Sequence, residues 1–167
     1  MRPTWRHWAV LLAIAGLILA VDQTTKQLIE TRLAPSETIM PIGALSDYFR
    51  LTHSQNTGAA FGLLPQFGDV ISVIAVGMSI AMLVAHGRMA SDQWGKRVAM
   101  GMVIGGALGN VIDRVRVGHV IDFINYRIPG VISNVSNLAD HAIVLGVIVL
   151  LILTWRTADE AAEPTSE

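Results

Sequence analysis

The chain has 167 residues, of which 52% are hydrophobic and 15% charged, with a formal net charge of −1 and a mean hydropathy of +0.51. Soluble domains carry about 25% charged residues, so this balance points to lipid, and no basic surplus exists to bind nucleic acid. The absence of cysteine excludes disulfides, thiolate metal sites and a cysteine nucleophile.

Four apolar runs follow in chain order: Trp8–Val21, Val70–Val84, Val98–Ile112 and Ala142–Trp155. Each is shorter than the roughly 18–20 residues of a clean spanning helix. A soluble protein of this size would nevertheless need many more charges to cover four such helices. Arg6 and Trp8, His86 and Arg88, and Trp155 and Arg156 flank the runs as interfacial residues. Arg2 and Arg6 before the first run give it the look of a secretory signal peptide. No small-residue cleavage site follows Val21, however, and the chain continues as DQTTKQLIETRL, where Asp22 and Lys26 pair at i, i+4 on a helix. The first run is therefore read as retained.

An even number of spans puts both termini and the loop His86–Arg97 on one side. That side holds Arg2, Arg6, Arg88, Lys96, Arg97 and Arg156; the other holds Lys26, Arg32, Arg50, Arg114, Arg116 and Arg127. The count is even, and Arg50, the residue most remote from a span, tilts it towards termini inside. Trp5, Trp8, Trp94 and Trp155 all fall on the termini side.

Between the first two spans, Asp22 to Asp69 reads in part as short strands and turns punctuated by Pro35, Pro41, Gly43 and Pro65, with a brief helical piece around Ala59–Leu64. Between the last two, Asp113–Asp140 contains the strand formers Val120, Ile121, Phe123 and Ile124 around Asp122. Neither segment is long enough for a core of its own, so the two are expected to pair over the helix ends. The fold class expected is an all-α membrane protein: four transmembrane helices, a small extracytoplasmic β platform and a short interfacial helix. Residues 1–156 form one domain, and the acidic tail from 157 to 167 is expected to be disordered.

In the third span, Gly101, Gly105 and Gly109 recur every fourth residue, a smooth stripe for close helix contact in lipid. Asn110, Asp113 and Arg114 share one face below it, where a local bond of Asp113 or Asn110 to Arg114 would account for them. Asp122, flanked by VI and FI, is expensive to desolvate unless it is used or paired; the plain reading is a solvated face of an edge strand. Asp140 or Asn137 can cap the fourth span. Taken together, Asp122 and Asp140 lie on one side of the membrane in one connector. Two close carboxylates share a proton, so one can activate water while the other polarises a carbonyl. There is no HExxH or GxSxG, and His119, Asp122, Asp140 and His141 lack a metal-ligand spacing.

VDQTTK (21–26), NTGAAFG (56–62), GGALGNVIDRVRVGHVIDFI (105–124) and NLAD (137–140), in this order and spacing, resemble the lipoprotein signal peptidases, or signal peptidase II. The resemblance covers nearly the whole chain short of the tail. It implies a bacterial inner-membrane aspartic endopeptidase that removes the signal peptide from prolipoproteins, cutting before a cysteine that carries diacylglyceryl. It makes Asp122 and Asp140 the catalytic dyad and Asn56, Gly58, Asn110, Asp113, Arg114, Asn137 and Ala139 supporting or substrate-binding residues. Asp22 and Lys26 become a structural polar pair. It implies cytoplasmic termini, a dyad near the periplasmic face, and inhibition by globomycin, an antibiotic that mimics the substrate. No metal or cofactor is expected, and the partners are the prolipoprotein and membrane lipids, with the enzyme a monomer.

Two positions depart from the family pattern. An aromatic usually precedes the asparagine of the last block and a small residue follows its aspartate; here these are Ser136 and His141. The first removes apolar cover and the second sets an ionisable ring beside the dyad. The span-three glycines are read as leaving room for a substrate helix or acyl chains, so that Gly105→Leu would harm processing more than folding. Without the resemblance, the acids also suit an ion path, and a small transporter or an assembly subunit is the alternative. A membrane aspartic protease of the presenilin or prepilin-peptidase type would want a GxGD motif, which the sequence lacks.

Overall fold

Thr4 opens the first helix, its backbone N–H donating to Nδ1 of His7 at 2.8 Å, and α1 then runs Trp5–Arg32 for 28 residues. The structure, a computed structural model, describes residues 3–58, 67–90 and 92–162. The helix outruns the apolar stretch Trp8–Val21 by adding the polar turns from Asp22 onward, which is why the run alone looked too short to span. Its buried residues, His7, Leu11, Ala15, Asp22, Lys26 and Ile29, recur at helical spacing and define one inward face. Polar residues lie on that face because their partners wait on other helices.

Three further helices follow: α2 (Gly68–His86), α3 (Trp94–Val117) and α4 (Leu138–Ala162). All four are long and apolar enough to cross a membrane. α3 packs against each of the others, and half of its most apolar window is buried, against 17% or less for the other three helices. The glycines explain why α3 holds the centre. A Cβ on Gly101 would lie 2.8 Å from the Leu11 carbonyl, one on Gly105 2.5 Å from the Ala15 carbonyl, and one on Gly106 2.5 Å from the Ala139 carbonyl. Gly101 and Gly105 thus seat α1, and Gly106 seats α4.

That arrangement corrects the expected use of the stripe. The space beside Gly105 is already filled by the α1 backbone and Ile18, so no room is held open for a substrate. Gly105→Leu should lower the unfolding temperature in detergent and reduce processing together, because overpacking a close helix contact costs about 1–3 kcal/mol or more. Lost processing with an unchanged unfolding temperature would contradict this packing role.

The extramembrane segments form one antiparallel sheet in the order β1-β2-β3-β4, with β1 Thr38–Ile39, β2 Phe49–Asn56, β3 Val120–Ile128 and β4 Ile132–Ser136. The two connectors do pair, β2 with β3, bringing Ser54 opposite Asp122 and Asn56 opposite Val120. Gly118, with φ of 79°, ends α3 in the left-handed conformation, its N–H donating to the Arg114 carbonyl at 2.9 Å, and turns the chain into β3. Ile121, Phe123 and Ile124 of β3 pack on Ile29 and Leu33 at the end of α1. Strand alternation turns Asp122 to the opposite face from Ile121 and Phe123. The helical piece expected around Ala59–Leu64 falls outside the described residues. α4 continues to Ala162, so the part of the expected tail from 157 to 162 is helical.

Candidate active site

β3 and α4 each deliver one carboxylate to the mouth of the helix bundle. Asp122 is buried, at 2% exposure, and Asp140 sits in the first turn of α4, half-buried. Both line one cavity of about 500 Å³, together with Asn56, Tyr126, His141 and Leu145.

Three asparagines hold the pair. Asn56 Nδ2 donates to Asp122 Oδ2 at 2.9 Å, Asn137 Nδ2 to Asp122 Oδ1 at 2.6 Å, and Asn110 Nδ2 to Asp140 Oδ1 at 2.8 Å. Each amide oxygen faces a group that can only donate: the Gly58 N–H at 3.0 Å for Asn56, the Asp140 N–H at 2.9 Å for Asn137, and Lys26 Nζ at 2.9 Å for Asn110. With the oxygens so committed, the amide NH2 groups have to point at the carboxylates. Asn137 also caps α4, as read from its position, and leaves Asp140 free to face the cavity.

Burial, followed by the negative charge of Asp140, pushes the Asp122 carboxyl up to about 7; the amide donors Asn56 and Asn137 and the charge of Lys26 pull the other way. The site therefore opposes a second negative charge while offering donors to one. Near neutral pH such a pair carries a shared proton, an acid and a base in one cavity.

Behind the dyad lies a buried ionic hub. Lys26 Nζ sits 2.8 Å from Asp22 and 2.7 Å from Asp113, all three fully buried. Asp22 Oδ1 accepts the Ala139 N–H at 3.0 Å, and Asp113 Oδ2 accepts the Ile121 N–H at 3.2 Å. The pair expected within α1 is thus a junction of α1, α3, α4 and β3. Ala139 is fully buried, and its carbonyl lies 2.5 Å from where a Cβ on Gly106 would stand, so α4 rests directly on α3 at this residue.

The expected local bond from Asp113 or Asn110 to Arg114 is not what forms: Asp113 bonds Lys26, and Arg114 Nη2 donates to the Gly58 carbonyl at 2.7 Å. Arg114 instead anchors the chain just after β2, beside Asn56. Ser136 is buried in the cavity wall, and its Oγ has no hydrogen-bond partner among the described residues. Two residues escaped sequence reasoning. Gln23 Nε2 donates to Asp113 Oδ1 at 2.9 Å and to the Gly109 carbonyl at 3.2 Å, joining α1 to α3; its place inside VDQTTK was the available signal. Tyr126, whose hydroxyl lies 3.2 Å from His141 Nε2, had none beyond standing an even number of residues from Asp122.

Residues 14–156 match the family model described as signal peptidase (SPase) II. The lipoprotein signal peptidase of Moorella thermoacetica is 42% identical over 156 residues, 93% of this chain and 97% of that one. That of Halothermothrix orenii is 38% identical over 140 residues, 84% and 91% of the two chains. A solved bacterial membrane enzyme superposes with a TM-score of 0.83 at 29% identity, covering 95% of both chains, and a second with 0.76 at 31%, covering 87% and 92%.

Proposed function

This chain belongs to the signal peptidase II family, and from that premise we propose that Asp122 and Asp140 are the dyad with which it hydrolyses its lipoprotein substrate. The enzyme is a membrane aspartic endopeptidase of lipoprotein maturation. The observation that carries the dyad is the pair itself: two carboxylates from separate elements on one cavity, each held by an asparagine amide that cannot turn away.

In the reaction, ionised Asp140 takes a proton from water as the water oxygen attacks the scissile carbonyl. Protonated Asp122 gives its proton to the carbonyl oxygen, which becomes a hydroxyl of the tetrahedral intermediate. Collapse returns that proton to Asp122 as the C–N bond breaks, and the proton held by Asp140 passes to the departing nitrogen. Asn56, Asn110 and Asn137 keep both groups in place through the cycle, and Gly58 and Arg114 hold Asn56 from behind. The bond cut is the one before a diacylglyceryl-modified cysteine. Anchored by its lipid, that cysteine keeps the bond at the helix mouths, where the apolar side of the cavity around Leu145 meets the polar side around Asp122. The termini lie in the cytoplasm and the dyad faces the periplasm, with the enzyme acting as a monomer.

The purified protein in detergent, given one prolipoprotein with and without the diacylglyceryl group, tests this. Cleavage before the modified cysteine, blocked by globomycin and absent for the unmodified chain, is the expected result. Equal cleavage of both substrates would remove the lipid from the specificity, and no cleavage of either would remove the function.

A further inference from the structure

His141 is the residue of the NLADH stretch that the dyad leaves unexplained. Its Nδ1 lies 2.6 Å from the Asn137 carbonyl, and a carbonyl only accepts, so Nδ1 carries the hydrogen. In the neutral ring Nε2 is then an acceptor, and the Tyr126 hydroxyl 3.2 Å away is its donor. The rings meet edge to face at 5.7 Å between centroids. The imidazole takes the Asn137 carbonyl more closely than the helical bond does, since the His141 backbone N–H stands 3.4 Å from that same oxygen.

The placement of these residues has a geometric consequence. Tyr126 follows Asp122 by four residues on β3, which puts both on one strand face, and His141 follows Asp140 on α4. β3 and α4 are therefore joined twice across the same cavity. One link is the dyad with Asn137, and the other is the Tyr126–His141 bond. The separation of strand and helix at the dyad is a property of both links. Asn137 is held from two sides, since its side chain donates to Asp122 and its carbonyl is gripped by His141.

We propose that His141 is a positioning residue, which clamps the first turn of α4 to Tyr126 of β3 and so sets how Asp140 and Asn137 face Asp122. The inference rests on the dyad reading. The titratable groups that line the cavity with His141 are Asp122 and Tyr126 from β3 and Asp140 from its own helix.

Three variants remove the Tyr126 bond while keeping the one to the Asn137 carbonyl. Tyr126→Phe keeps the ring and loses the hydroxyl. His141→Asn retains a donor placed like Nδ1 and loses Nε2. The third variant combines both substitutions. Each single variant is expected to lower kcat about threefold to tenfold, the range of one lost hydrogen bond, with KM within about twofold and the pH profile of kcat displaced. The double variant should be no worse than the worse single, because both changes remove the same bond. Multiplying losses in the double variant, a KM effect with kcat intact, or an unmoved pH profile would each overturn the proposal. Tyr126→Phe, the mildest change, keeps the test open if His141→Asn fails to fold. Failure of the dyad reading is read separately, as full activity in Asp122→Asn or Asp140→Asn, whatever the His141 variants do.

Discussion

Asp122→Asn and Asp140→Asn, made separately, are each expected to abolish prolipoprotein processing, by at least about 10³-fold, while the protein still inserts and folds. The size lies within the loss expected for a positioned acid or base, typically about 10²–10⁴-fold. Asparagine preserves shape, so the loss reads chemistry; full activity in either variant would sink the dyad. The pH dependence has a definite sign. Asp122 holds its proton up to about 7 because burial and Asp140 oppose its ionisation. Activity that needs the protonated acid is therefore retained below that value and falls as pH rises through it. Stability runs the same way: the folded-state value lies above the ordinary 3.8, so the unfolded chain gives up this proton first and stability declines as pH rises from 3.8 to about 7. Asn56→Ala removes a donor that lowers the value, so the alkaline limb should move to higher pH. A shift to lower pH would show that the limb belongs to another group.

The spans were legible because lipid demands long apolar stretches, although the runs understate the helices. A run ends at its first charge, whereas α1 carries Asp22 and Lys26 inside a continuous helix because α3 supplies partners to Lys26 and α4 supplies one to Asp22. Asp122 was legible because an acid between VI and FI has to be explained, and Asn137 because cap chemistry is local. What sequence could not give is which surface a face meets. The spacing of Gly101, Gly105 and Gly109 defines a stripe but not its occupant, and α1, not substrate, lies there. Spacing likewise favoured a neighbour, Arg114, for Asp113, when the actual partner is Lys26 on another helix. Gln23 and Tyr126 act across contacts that no local pattern encodes. The resemblance, carried by four ordered blocks, named supporting residues such as Gly58 and Ala139 whose physical reasons only the packing supplies: a carbonyl for Arg114, and a close approach of α4 to α3 at Gly106.

Lys26→Met should be the most damaging single change to stability. The ammonium is fully buried and makes three short contacts, to Asp22, Asp113 and Asn110. Methionine fills much of the same volume but leaves two buried carboxylates without a cation. Breaking a buried pair from one side costs about 3–5 kcal/mol, a fall in unfolding temperature on the order of 10 °C for a chain of this size. Activity should fall further than the folded fraction does. Asn110 Oδ1 would keep only the Asn137 amide at 3.2 Å, so the amide that donates to Asp140 is no longer firmly oriented. Adding Asp113→Asn to Lys26→Met removes one of the stranded charges while keeping an oxygen for the Ile121 N–H. The double variant should therefore unfold at a higher temperature than Lys26→Met alone, a non-additivity that marks a shared network. An unfolding temperature unchanged by Lys26→Met would mean the carboxylates had taken up protons at little cost, and the hub would then not be what holds α1 and α3 beneath the dyad. A double variant weaker than both singles would point instead to Asp113 acting through Gln23 and Ile121, independently of Lys26.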